Sequence, residues 1–167
     1  SGFEFTGKSS HYRHALVPYL NEIKRCVRDQ RIAVSQPEGH IDQVKQELPV
    51  SGYAKIDDAF ADQRGAAATF LLCNPVSTSD TAAESWRDIP DSSHPNHRDV
   101  NKMAAIVKIM SRPGETVLDP FCGSGAIGIA CLLLGRNYVG YELDEKRAAE
   151  AEQRLETISE VMGINSL

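Results

Sequence analysis

The hydrophobic positions of this chain follow two different periods. Tyr12, Ala15, Leu16, Tyr19, Leu20, Ile23 and Val27 recur at helical spacing, which predicts an amphipathic helix over residues 12–29. Pro18 either kinks that helix or marks its true first turn. A short buried strand is expected at 31–35 (RIAVS), then a helix at 40–48 with Ile41, Val44 and Leu48 on one face. Weak alternation over 53–60 and an apolar run over 66–74 predict two more strands.

The middle of the chain interrupts this pattern. Residues 74–98 are polar and rich in Ser, Pro and Asp, the composition of a long functional or disordered loop. Beyond it, Val100, Met103, Val107 and Met110 return to helical spacing, with Asp99 placed as the N-cap. A strand is expected at 115–119, a buried helix at 125–134 that is apolar nearly all round, and a strand at 137–142. A charged helix over 144–162 should turn Leu155, Ile158 and Met162 inward. Strands alternating with helices in this half imply parallel βαβ units and an α/β fold.

Composition narrows the picture. A chain of 167 residues supports one domain with its own core, divided here into 1–74, the loop at 75–98 and 99–167. The net charge of −5 argues against binding polyanions through bulk electrostatics. Locally, Lys8, Arg13, Lys24, Arg25, Arg28 and Arg31 outnumber Glu4, Glu22 and Asp29, with His11 and His14 nearby. That region is either a solvated helix face or a nucleic-acid patch. Cys26, Cys73, Cys122 and Cys131 form no C-x-x-C pair, which points to reduced thiols in a cytoplasmic protein. His94 and His97 lack accompanying cysteines, so no metal is expected. No apolar run approaches the roughly 18 residues of a membrane span.

The chemistry concentrates between 119 and 142. In a parallel sheet, ligands bind beyond the carboxyl ends of the strands. Asp119 stands at one such end and Glu142 at the next, with Gly123 and Gly125 making a tight turn between them. An acid that far past a glycine turn suits a ribose diol. Glycines at 123, 125 and 128 also satisfy the dinucleotide spacing, so a nicotinamide enzyme stays open. Against it, Asp119 would repel a pyrophosphate. The same carboxylate suits a cationic amine, such as the aminoacyl end of S-adenosylmethionine, while Phe121 offers an aromatic wall for adenine.

DPFCGSG (119–125) resembles motif I of the amino-directed DNA methyltransferases, which modify adenine N6 or cytosine N4. GRNYVGYELDEKRAAEAEQRL (135–155) resembles their motif II region, with Glu142 at the ribose-binding acid. HPNHRDVNKMAAIVKIMSRPGETV (94–117) resembles motif X, although Asn96 replaces a Thr and Arg98-Asp99 stand where Lys-Pro is usual. Ala126 replaces the common Thr or Ser after motif I. The likeness spans residues 86–160. It implies a Rossmann-like methyltransferase fold, a mostly parallel sheet with a β-hairpin edge. It further implies S-adenosyl-L-methionine as cofactor and DNA as partner. Asp119, Pro120, Phe121, Cys122, Gly123, Ser124, Gly125, Glu142 and His94 are the implied cofactor-binding residues.

The order of these motifs resembles a permuted class in which the catalytic half comes first. The segments at 12–29 and RIAVSQP then look like the helix and strand that follow the catalytic motif. The stretch from YAKIDDAF to AAATFLLCNP looks like the hairpin at the sheet's edge. The family's catalytic (Asp/Asn/Ser)-Pro-Pro-(Tyr/Phe/Trp) motif is not found. Its nearest relative is NPVS (74–77), where Asn74 is either a degenerate catalytic residue or the end of a hairpin strand. The catalytic strand and its neighbour are expected before residue 1, or from a partner chain or self-association. The rival reading is a catalytically silent relative serving as a binding or assembly subunit. Trp86 either stacks on a base or cofactor or anchors the polar loop.

Overall fold

The computed structural model describes residues 9–27, 29, 31–37, 41–48, 52–56, 68–76 and 98–164. They fall into two compact units, Ser1–Pro75 and Val76–Leu167. The polar loop with Trp86, His94 and His97 lies outside the described residues, as do the side chains of His11 and His14.

The first unit contains α1 (Ser9–Cys26), β1 (Ile32–Pro37), α2 (Ile41–Glu47), β2 (Tyr53–Ile56) and β3 (Ala68–Cys73). Its sheet runs β1-β3-β2. The expected hairpin is present: β2 and β3 pair antiparallel with Tyr53 opposite Cys73 and Ile56 opposite Phe70. β1 pairs antiparallel with the other side of β3, Ile32 opposite Cys73. β3 is therefore central, and Phe70, Leu71, Leu72 and Cys73 are all buried. A strand buried on both faces reads as a continuous apolar run, which is how this segment looks in the sequence. β1 differs from the fully buried strand expected of it. Ile32 and Val34 are buried while Ala33 is exposed, because successive side chains point to opposite faces and the core cluster covers the face of Ile32 and Val34.

Leu20 of α1 joins Ile41 and Val44 of α2, and Leu48 just beyond it, over Ile32, Val34, Leu71 and Cys73, and Ile23 packs against this cluster. Tyr19, expected on the apolar face, is exposed instead. Pro18 lies inside α1, so it does not mark the first turn, and the helical ladder lacks one N–H there. No helix among the described residues is long and apolar enough to cross a membrane.

The second unit contains α3 (Val100–Met110), β4 (Thr116–Asp119), α4 (Ala126–Leu133), β5 (Asn137–Gly140) and α5 (Glu145–Val161). Asp99 caps α3 as expected, accepting the N–H groups of Asn101 at 2.8 Å and Lys102 at 3.3 Å. β4 and β5 pair in parallel, Thr116 opposite Asn137 and Asp119 opposite Gly140, with α4 as the crossover. α4 packs against α3, α5 and β5, which buries Ala126, Gly128, Ile129, Ala130 and Cys131. On α5, Ile158 is buried as expected, whereas Met162 falls just past the helix end and is exposed. Among the described strands the pairing is thus antiparallel in one unit and parallel in the other.

One buried cation joins two helix ends. Arg136 is 7% exposed. Its guanidinium donates to the Ser111 carbonyl at 2.9 Å and the Ser111 hydroxyl at 3.3 Å, both at the end of α3, and to the Leu134 carbonyl at 2.6 Å, at the end of α4. Helix C-termini leave carbonyls unpaired and carry partial negative charge, so a planar five-donor cation satisfies both at once. Arg136→Met should destabilise the chain by about 1–3 kcal/mol, read from urea denaturation, because it strands buried carbonyls. Arg136→Lys should recover only part of the loss.

Candidate functional site

β4 and β5 bring the two acids picked out in the sequence to one crevice. Asp119 is the last residue of β4, and the ladder continues beyond the regular strands. The Tyr141 N–H donates to the Asp119 carbonyl at 2.9 Å, and the Cys122 N–H donates to the Tyr141 carbonyl at 2.9 Å. These bonds pin the turn at 120–125 to the chain leaving β5. Gly123 (φ 52°) and Gly125 (φ 75°) take left-handed conformations there, which only glycine adopts without penalty. A Cβ on Gly125 would stand 3.2 Å from the Ala151 Cβ, so the turn also lies hard against α5. Arg154 of α5 donates to the Ser124 carbonyl and ties the turn from that side.

The two carboxylates sit in contrasting surroundings. Asp119 is 7% exposed. Its Oδ1 accepts the Phe121 N–H at 3.2 Å and its Oδ2 accepts the Tyr138 hydroxyl at 3.3 Å. Burial nevertheless dominates and holds its carboxyl above the usual range; the two donors oppose that shift and the nearby Glu142 charge adds to it. Glu142 is half-buried. Its Oε2 accepts the Gly123 N–H at 3.0 Å and its Oε1 the Asp144 N–H at 3.1 Å. Burial resists ionisation of Glu142, but the N–H groups of Asp144, Gly123 and Leu143 together outweigh it and hold the carboxyl below its ordinary value. The surroundings accordingly favour the anion at Glu142 and oppose it at Asp119.

The remaining predicted residues are distributed around this pair. Phe121 projects into solvent, 62% exposed, beside the buried Asp119. Pro120 and Cys122 are half-buried, Ser124 is buried, and Gly123 and Gly125 form the turn. Burial pushes the Cys122 thiol up, and the Asp119 charge adds to the effect. His94 lies outside the described residues. Asn74 belongs to the first unit, at the end of β3 with φ 51°, where its side-chain amide donates to the Asp29 carbonyl at 3.3 Å.

Sequence reasoning missed Tyr138. Its ring fills a slot left by two glycines. A Cβ on Gly128 would stand 2.7 Å from the ring, and one on Gly140 would stand 2.5 Å from its hydroxyl oxygen. Gly128, read as a possible third glycine of a dinucleotide fingerprint, thus makes room for an aromatic ring. The spacing Tyr138-x-Gly140-x-Glu142, which puts all three on one side of the extended chain, was the available signal.

A family model described as DNA methylase, covering the N6 and N4 enzymes, matches residues 9–153. The chain belongs to this family. YubD of Escherichia coli (strain K12) is 34% identical over 77 residues, 46% of this chain and 34% of that protein. The type II methyltransferase M.HinfI of Haemophilus influenzae is 36% identical over 66 residues, 40% of this chain and 18% of that protein. The chain therefore matches about a third or less of the length of these relatives. The crystal structure of M1.HpyAVI in complex with SAM superposes with a TM-score of 0.65 at 21% identity, covering 84% of this chain and 82% of that one. The fold is the Rossmann-like α/β fold of these methyltransferases.

Two outcomes follow from the packing and electrostatics. Gly128→Ala should lower stability by about 1–3 kcal/mol despite the better helix propensity of Ala, since the new Cβ would stand 2.7 Å from the Tyr138 ring and force it to shift; a thermal melt measures it. Asp119→Asn should stabilise the ligand-free chain at neutral pH. The folded carboxyl titrates above its unfolded value, so the folded state holds a proton more tightly, and stability falls as pH rises from the unfolded value through the folded one. Denaturation of both proteins between about pH 4 and 7 should show the gain from Asn shrinking towards acid.

Proposed function

We propose that the chain binds S-adenosyl-L-methionine at the β4–β5 crevice as the cofactor-binding part of a DNA methyltransferase acting on adenine N6 or cytosine N4. The observation that carries this reading is a buried carboxylate, Asp119, set beside a glycine turn whose N–H is held by a second carboxylate, Glu142. When bound, the cofactor supplies a methyl group on a sulfonium for transfer to the base nitrogen. Asp119 would meet its ammonium, and that cation would offset the charge burial that now raises the carboxyl. Glu142 still has acceptor capacity after its two N–H bonds and would accept the ribose hydroxyls. Phe121 would lie against adenine, with Pro120, Cys122, Ser124, the turn glycines and His94 completing the enclosure.

The same charges work against a dinucleotide. Two carboxylates at the turn would face a pyrophosphate with repulsion, and Gly128 already serves Tyr138. Membership of the DNA methylase family and the S-adenosylmethionine complex of M1.HpyAVI add support.

In this reading the order of motifs is permuted, and the catalytic motif comes from an additional segment or a partner chain. Among the described residues β4 pairs with β5, and β1 and β2 pair with β3. We read Asn74 as a strand terminator, since it takes the left-handed conformation that Asn tolerates at chain reversals. The target amine would be aimed at the methyl group by the incoming motif, with positioning as the main contribution.

Isothermal titration calorimetry tests the cofactor. S-adenosylmethionine and S-adenosylhomocysteine should bind and NAD should not. Asp119→Ala and Glu142→Ala should each weaken binding by at least about tenfold while the chain stays folded. Binding of NAD alone would sink this reading. Tritium transfer from S-adenosylmethionine to DNA should require an added catalytic segment, and transfer by this chain alone would refute the part about a separate catalytic motif.

A further inference from the structure

We propose that Tyr138 is a positioning residue of this site, whose hydroxyl holds the Asp119 carboxylate in the orientation that a cationic ligand requires. The inference rests on the cofactor reading given above. It starts from geometry. Asp119 has one donor on each oxygen, from two different elements: the Phe121 N–H in the turn and the Tyr138 hydroxyl on β5. Two donors on opposite oxygens fix the plane of a carboxylate, which either one alone would leave free to rotate. The plane then directs the remaining lone pairs.

The phenol is itself held with little freedom. Glycines 128 and 140 bracket its ring from α4 and from β5, and any side chain at 140 would collide with the hydroxyl oxygen itself. Phenylalanine would fill the same slot and satisfy the same apolar contacts. The oxygen is therefore the part that packing does not explain. It sits between the Asp119 carboxylate and the space kept open by Gly140. Burial and the Asp119 charge keep this phenol far above its ordinary range, so it stays a donor wherever Asp119 titrates.

The groups that act electrostatically with Asp119 are Tyr138 on β5, Cys122 in the turn, Glu142 beyond β5 and Cys131 on α4, whose thiol is pushed up to about 12. Both thiols and the phenol are neutral around pH 7. Among the described residues, the other charge acting on Asp119 is that of Glu142, which works in the opposite sense to Tyr138. The hydroxyl favours the ionised form of Asp119, and its removal leaves burial less opposed. The carboxyl should then protonate at higher pH, and any ligand that needs the carboxylate should be lost at higher pH as the solution is acidified.

Tyr138→Phe in the full chain is the test, because it keeps the ring and deletes only the oxygen. Carbon-13 NMR of labelled aspartate carboxyls, without ligand, should show the Asp119 midpoint moving to higher pH in the variant. Calorimetry should show S-adenosylmethionine binding about tenfold weaker near neutral pH, with the acid limb of its pH profile displaced upward. Gly140→Ala, which displaces the hydroxyl without deleting it, should move the midpoint in the same direction. An Asp119 midpoint and binding profile unchanged in Tyr138→Phe would overturn the positioning role and leave a packing tyrosine. Failure of the unaltered chain to bind S-adenosylmethionine overturns the cofactor reading instead, and the ligand-free titration still separates the two.

Discussion

Parallel pairing of β4 with β5 is the constraint on which the site depends. With Asp119 opposite Gly140, the two strands end together, and the ladder runs on through Tyr141 into the glycine turn. A shift of one residue would reverse the facing of every side chain on β5 and take Tyr138 and Glu142 away from Asp119 together. The rest of the unit secures that register. α4 crosses with its glycine face over Tyr138, α5 presses Ala151 against Gly125, and Arg136 ties the ends of α3 and α4.

Much of this half was legible in the sequence for a physical reason. Its elements are short and joined by turns whose glycines and caps have specific conformational roles, so Asp99, Gly123 and Gly125 mark boundaries in the chain itself. The two acids could be placed because strand ends in a parallel sheet share an edge. Tyr138 was not legible in the same way. Its role depends on where a helix lies across it, and a tyrosine in an apolar strand is otherwise an ordinary core residue. In the other unit, periodicity identified β1, but its pairing with β3 across a long sequence separation leaves no local trace. Met162 failed as a core residue because helix periodicity continues on paper past the point where the helix stops.

The electrostatic design separates two roles that share one crevice. Glu142 is stabilised as an anion by backbone N–H groups, which cost nothing further when a neutral diol arrives. Burial opposes the ionised form of Asp119, so a ligand that brings positive charge would favour that form.

The slot that encloses Tyr138 also sets the form of the site's response to its medium. Burial pushes the phenol and the neighbouring thiols up, so among the described residues around Asp119 these three keep their protons at neutral pH. Burial pushes the Asp119 carboxyl up while the N–H groups around Glu142 hold that carboxyl down, so one turn carries two carboxylates displaced in opposite senses from their ordinary values.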